Sequence, residues 1–292
     1  MKNPIGWCDE TINPVIGCSH ASPGCDHCYA ERMANRLAGM GVEGYRCIVN
    51  TGGWNSHLVQ VRSALHKPRH WRKHRRIFVC SMGDLFHEYV PFNWQYDVFR
   101  TMGDCPQHTF MILTKRAERM LDFFLDYDAP DNLGLGVTVE NQKMANERIP
   151  SLIETPAAWR FVSGEPTLGP VEIAPWWLKR LSWVICGGES GHGARPMHPD
   201  WVRGLRDQCV AADVPFWFKQ WGEWLPYEDW RLLPPEDGEA TFSEAPVAWV
   251  PYDCNTHDGA GKRMVRMVRV GKRRAGHLLD GQEWRQIPEV AR

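Results

Sequence analysis

The chain has 292 residues, 43% of them apolar and 24% charged. That is the composition of a folded globular protein, and it excludes a disordered chain or a coiled coil as the main state. Lys and Arg (34) nearly balance Asp and Glu (35) for a formal net charge of -1, so contact with nucleic acid has to come from a local basic patch and not from the field of the whole molecule.

No window approaches the roughly 18 uninterrupted apolar residues of a membrane span, and Met1 to Trp7 lacks the apolar core of a signal peptide. A cytoplasmic protein with no membrane partner is expected. In such a reducing compartment clustered cysteines bind metal or do chemistry rather than build a disulfide framework. Three of the 10 cysteines are clustered, as Cys18-x6-Cys25-x2-Cys28, and the other seven (Cys8, Cys47, Cys80, Cys105, Cys186, Cys209 and Cys254) are scattered. The scattered ones read as small buried apolar side chains.

A helix is expected over Tyr29 to Met40, followed by a dense basic stretch from Arg62 to Arg76 that contains Trp71. A basic run with an aromatic residue suits a phosphate backbone and a stacked base; the plainer reading is a solvated helix face or loop. Short apolar, β-branched or aromatic runs then recur: Ile77 to Cys80, Phe110 to Leu113, Leu135 to Val139, Arg160 to Val162, Trp183 to Cys186 and Pro215 to Phe218. They read as strands buried on both faces. Between them lie candidate helices, Trp94 to Met102, Ala117 to Tyr127, Gln142 to Ile153 and His198 to Ala212. This alternation predicts an α/β fold with a parallel sheet, as a partial or complete (β/α) barrel.

Each strand ends in small or polar residues: Ser81 to Asp84, Thr114 to Arg116, Glu140-Asn141, Ser163 to Pro166, Gly187 to Ser190, and Lys219 to Gly222. In a parallel barrel all six fall on the carboxyl face, where active sites are built. Singly, each also reads as a cap or turn residue, and Lys115 and Arg116 read equally as a solvated helix start. After about Trp224 the pattern changes to a loop at Pro234 to Gly238, strands over Pro246 to Tyr252 and Arg263 to Val270, and a second basic run from Lys262 to Arg274. The expected division is a barrel with its cysteine loop over residues 1–224 and a small β extension with a basic tail over 225–292.

Three cysteines leave two metals open. A closed zinc site would recruit His20 or His27 as a fourth ligand, giving a non-catalytic zinc-binding module for nucleic acid or protein. A [4Fe-4S] cluster on three thiolates would keep one iron without a protein ligand, and so would be a reaction centre.

The segments Asn13 to Cys18, Ser22 to Arg32, Ser81 to Phe86, Leu113 to Arg116, Gly136 to Asn141, Ser163 to Pro166 and Cys186 to Gly191 resemble the DUF5131, or phage Gp37/Gp68, family. The resemblance runs from about Trp7 to Trp224, and the tail from Gly271 to Trp284 shares it. The family in turn resembles a branch of the radical S-adenosylmethionine (SAM) superfamily, whose cluster motif is Cys-x3-Cys-x2-Cys; here the first gap is six residues. The resemblance implies Cys18, Cys25 and Cys28 as ligands of a [4Fe-4S] cluster. It implies SAM as second cofactor, bound by Ser81 and by Asp84 as acceptor of its amino group, with His27 in the aromatic position beside the adenine and Ser163 nearby. Lys115, Glu140, Glu165 and Glu189 are the candidate catalytic groups of the mouth. Gly187-Gly188-Glu189 has the letters of the superfamily's SAM motif but comes too late in the chain to be that element. The reaction implied is reductive cleavage of SAM and hydrogen abstraction from a substrate, with an electron donor as partner. Phage occurrence of the family favours a nucleobase or nucleotide unit as substrate, in DNA hypermodification, read through Arg62 to Arg76 beside the mouth.

Overall fold

The apolar runs become seven main strands: β1 Glu10–Ile12, β2 Arg76–Val79, β3 Thr109–Thr114, β4 Leu133–Thr138, β5 Trp159–Gly164, β6 Trp183–Cys186 and β7 Phe216–Phe218. The structure is a computed structural model that describes residues 3, 5–233, 246–252 and 264–291. The seven strands are hydrogen-bonded in chain order, and every neighbouring pair is parallel. Parallel neighbours need a crossover of a dozen residues or more. Helices α1 Tyr29–Gly39, α2 Phe92–Gly103, α3 Ala117–Leu125, α4 Gln142–Glu154 and α5 Pro199–Ala211 supply most of them. With β1 and β7 left as the two edges, the expected parallel (β/α) barrel is a partial one, a curled seven-stranded sheet.

The two faces of the sheet bury different residues, because successive side chains alternate. On the helix-covered face, Ile77, Ile112, Leu135, Val162 and Val184 pack with Phe99, Phe123, Ile149 and Val202 of the helices. On the inner face, Phe78, Met111, Trp159, Phe161, Trp183, Ile185 and Trp217 form a second core with Trp7 and Ala291. Here β4 presents Gly134 and Gly136, because the rings of β5 lie across them. A Cβ at Gly134 would stand 2.2 Å from the Trp159 ring, and one at Gly136 2.5 Å from the Phe161 ring.

The register sets Phe78 beside Met111, Gly136 beside Phe161 and Ile185 beside Trp217. Followed toward the carboxyl ends, this inner row turns polar: Lys115 after β3, Thr138 and Glu140 on and after β4, Ser163 and Glu165 on and after β5, and Lys219 after β7. A polar tier therefore stands over an aromatic floor.

The C-terminal part forms the expected β appendage. Strands β8 Trp224–Pro226, β9 Val247–Pro251 and β10 Met264–Arg269 make an antiparallel sheet in the order β8-β10-β9. Leu225, Val250 and Met267 join the helix-side core. The tail returns to the barrel edge, where the Phe218 amide donates to the Trp284 carbonyl at 2.7 Å and the Trp221 amide to the Gly276 carbonyl at 3.0 Å. The loop at Pro234 to Gly238, Cys254, Lys262 and Arg263 lie outside the described residues. Among the described residues no helix is long and apolar enough to cross a membrane.

Candidate functional site

The first two strands stay together beyond their ends, and this places the cysteines. The Gly17 amide donates to the Met82 carbonyl at 3.1 Å, and Gly17 bridges Gly83. A Cβ at Gly83 would lie 2.9 Å from the carbonyl oxygens of Val15 and Gly17, and Gly17 itself has φ +101°, a conformation that favours glycine. Asn13 Oδ1 accepts from the Met82 amide at 2.9 Å and the Ser81 hydroxyl at 3.2 Å. Cys18 is thereby delivered next to the turn after β2. At the far end of the cysteine loop, Tyr29 opens α1 and donates its hydroxyl to the Ser81 carbonyl at 2.8 Å.

Three charged anchors hold the middle of the loop. The first is Arg116, just after β3. It donates to the Ser19 carbonyl at 3.2 Å and the Ser19 hydroxyl at 2.8 Å, and its Nη1 lies 3.8 Å from Cys18 Sγ. Asp84 at 3.0 Å and Glu88 at 2.7 Å hold it in place. The second is Glu140 after β4, fully buried. Its carboxylate pairs with Lys115 and with Arg148 at 2.9 Å, accepts from the Ser22 hydroxyl at 2.6 Å, and abuts Gly24 so closely that a Cβ there would meet it at 2.5 Å. The third is Arg195, which donates to the Pro23 carbonyl at 2.8 Å and pairs with Asp26 at 3.2 Å. Glu189 after β6 fixes Arg195 at 2.7 Å. Arg32 of α1 adds bonds to the carbonyls of Ser190 at 2.6 Å and His192 at 3.1 Å.

The thiols themselves are free, Cys25 buried and Cys18 and Cys28 half-buried. Burial pushes Cys18 up to about 12, reinforced by Asp84 and opposed by Arg116. Burial likewise raises Cys28. Cys18 interacts electrostatically with Cys28, and Cys28 with Cys25, while the Ala21 amide donates to Cys25 Sγ at 3.4 Å. Cys18 and Cys28 so raised stay protonated unless a metal takes the proton's place. Among the described residues no three Cys, His, Asp or Glu side chains close on a point as a single metal ion demands. Of the two candidate fourth ligands for zinc, His20 pairs with Glu31 at 3.2 Å, and the His27 ring packs against Gly193, where a Cβ would meet it at 2.9 Å. An iron-sulfur cluster is held by soft thiolates and tuned by hydrogen bonds to sulfur. The donor set present, three thiols on one anchored loop with an amide and a guanidinium at sulfur, fits that group.

The remaining expected site residues divide by role. Ser163 is buried, and its hydroxyl donates to Glu165 at 3.3 Å. Glu165 also accepts from Trp7 Nε1 at 3.3 Å and pairs with Lys219 at 2.8 Å. These two and Lys115 face the inner row. Asp84, expected to accept from the amino group of SAM, lies buried at the turn after β2. It is 5% exposed, and its carboxylate accepts from the Phe86 amide at 3.0 Å, the Thr114 hydroxyl at 2.8 Å, the Lys115 amide at 3.3 Å and Arg116 at 3.0 Å. These bonds tie the carboxylate to the turn after β2, to the end of β3 and to Arg116. Gly188, in the Gly-Gly-Glu segment, has a packing reason: its Cβ would meet the Trp221 carbonyl oxygen at 1.9 Å.

The basic stretch from Arg62 to Arg76 runs from one end of the sheet to the other. Arg75 pairs with Glu10 and Arg76 with Asp9, both at 2.8 Å, and Arg69 pairs with Asp104 at 2.7 Å. Its last residues, Arg69 to Arg76, lead into the amino end of β2, about 13 Å of strand away from the carboxyl ends, whereas Arg62 follows Val61, whose amide donates to the Pro14 carbonyl just beyond β1 at 2.8 Å. Arg116, 11% exposed in its side chain, is no solvated helix start. Arg148, Arg195 and Arg32 were not expected at all, since nothing in the periodicity of a helix or loop marks an arginine that reaches across to another segment.

The sequence model of a family described as "Protein of unknown function (DUF5131)" matches residues 2–288. Among solved structures, spore photoproduct lyase complexed with dinucleoside spore photoproduct is similar with TM-score 0.38 and 10% identity, over 88% of this chain and 67% of that one. A double mutant of the same lyase with bound AdoMet and dinucleoside spore photoproduct gives 0.39 and 10%, over 89% and 67%. A single mutant gives 0.41 and 11%, over 90% and 69%. The search of curated proteins finds no match.

Proposed function

The chain belongs to the DUF5131 family, and from that premise we propose that it is a radical SAM enzyme acting on a nucleobase or nucleotide unit of a nucleic acid. The observation that carries the reading is the cysteine loop, pinned over the carboxyl ends of β2, β3, β4 and β6 by Arg116, Glu140 and Arg195. Loops positioned on the carboxyl face of a parallel barrel are where such folds do chemistry.

Cys18, Cys25 and Cys28 would hold a [4Fe-4S] cluster, with Arg116 favouring the thiolate of Cys18 by its charge. When bound with SAM, that group supplies an electron for reductive cleavage and hydrogen abstraction, the electron coming from a separate donor protein. The chain's own residues position and exclude. Asp84, Glu140 and Glu189 act through Arg116, Ser22 and Arg195 to set the loop, which makes them positioning residues. Lys115, Ser163 and Glu165 face the space between loop and sheet and are the groups available to SAM and substrate; Ser81 and His27 border the loop. The aromatic floor beneath, Phe78, Phe161, Trp183 and Trp217, keeps that space dry from below.

Anaerobic reconstitution tests this reading. The protein should take up about four irons with matching sulfide and absorb broadly near about 400 nm. Cys18→Ala, Cys25→Ala and Cys28→Ala should each remove that absorption, while Cys8→Ala and Cys209→Ala keep it. A colourless protein holding one zinc per chain would overturn the proposal in favour of a zinc-binding module.

A further inference from the structure

Lys219 belongs to two neighbourhoods. Its ammonium pairs with Glu165 of the polar tier, and it also lines a cavity of about 440 Å³ between the end of β7 and the returning tail. Lys272, Arg273, His277, Arg285 and Trp217 line the same cavity, and no Asp or Glu does. Of the carboxylates nearby, Glu165 pairs with Lys219, Glu283 with His277 at 3.1 Å and Arg285 at 3.2 Å, and Glu223, which acts on Lys272 through its charge, accepts from the Gly191 amide at 2.8 Å. Among the described residues Lys272 has no ion-pair partner. Partial desolvation, and next the like charge of Lys219, hold Lys272 below the ordinary ammonium value. Gathering like charges in a concavity is unfavourable unless an anion enters it.

The frame is fixed. Trp217 bridges Arg285 across the edge of the sheet, and the Arg285 guanidinium lies 5.5 Å from the Trp217 ring centroid. A guanidinium so held matches two phosphate oxygens at once. The volume exceeds what one phosphate needs and falls within the range of sites for nucleotide-sized ligands.

We infer that this cavity is a phosphate subsite that takes an internucleotide phosphate of a polynucleotide substrate, so that a neighbouring base reaches Ser163 and Glu165. The inference rests on the radical SAM reading only for what happens to that base. It also places the nucleic-acid contact at the C-terminal basic run beside the end of β7 and not at Arg69 to Arg76, by the amino end of β2.

The test is fluorescence anisotropy of a fluorescein-labelled single-stranded oligonucleotide on the full chain over a series of salt concentrations. Lys272→Ala combined with Arg285→Gln should weaken binding about tenfold and lower the salt slope by about 0.7 for the phosphate released. Lys272→Ala alone, at an exposed position, should give part of that loss and serves should the double variant not fold. Lys272→Arg should retain affinity, and Arg72→Ala with Lys73→Ala should change little. Unchanged affinity and slope in the Lys272 variants, an equal loss in the Arg72/Lys73 variant, or no oligonucleotide binding by the wild type would overturn the inference. Release of 5'-deoxyadenosine by the wild-type holoprotein is measured separately. Its absence would strike the SAM reading and leave the phosphate result standing.

Discussion

Glu140 joins the chemistry of the sheet to that of the cysteine loop. Burial alone would raise its carboxyl, but Lys115 and then Arg148 outweigh burial and hold it below its ordinary value of 4.5. A carboxyl lowered on folding contributes stability above its unfolded value and loses it as pH falls through the folded one. Glu140→Gln should therefore cost about 3 kcal/mol at neutral pH, where buried Arg148 and half-buried Lys115 lose their partner. The gap from wild type should close as pH falls below about 4.5. Thermal melts of both proteins between neutral and acid pH check this, and a constant gap would contradict it. Asp84 allows a sharper separation of roles. As a positioning residue for Arg116, Asp84→Asn should lower cluster retention by about tenfold, as changes behind metal ligands do. The affinity of the molecules still loaded for SAM should be preserved. Lost SAM affinity with full iron content would instead make Asp84 the acceptor of the amino group.

On β4, the glycines that admit the rings of β5 are structural necessities. Gly136→Ala would drive a methyl into Phe161 and should cost about 1–3 kcal/mol as overpacking, read from urea unfolding. Gly103→Ala, with nothing within 4 Å of its Cβ, should cost little. The strands from Arg76 onward are legible in the sequence because each is an apolar run buried on both faces and closed by a polar end. β1 is not, since Glu10-Thr11-Ile12 has three residues and one apolar side chain. β8 is hidden among tryptophans and a proline. Of the site, the positions of Lys115, Glu140, Ser163, Glu165 and Glu189 after strands follow from the alternation, but their partners do not. Ser22, Pro23, Asp26 and Arg195 meet them only through loops, whose paths no periodicity encodes. The course of the basic stretch is illegible for the same reason: nearness in sequence to the Asp84 strand says nothing of which end of that strand each of its residues occupies.

We propose the division at residues 224 and 225 as one of topology and not of stability. Leu225, Val250, Met267 and Leu279 lie in the same core as the barrel helices, and the tail hydrogen-bonds to the edge strand. Calorimetry of the whole chain should give one cooperative transition, and two resolved transitions would show independent domains. Tail and cysteine loop both converge on one sheet, so the proposed phosphate subsite at Lys272 and Arg285 and the proposed chemistry under Cys18, Cys25 and Cys28 would share one mouth. The most direct measurement is chromatographic detection of 5'-deoxyadenosine after the anaerobically reconstituted protein is mixed with SAM and a strong reductant. The proposed function predicts that it forms with the wild type and not with Cys18→Ala, Cys25→Ala or Cys28→Ala. Its absence from the iron-loaded wild type, or equal release by the cysteine variants, would contradict it.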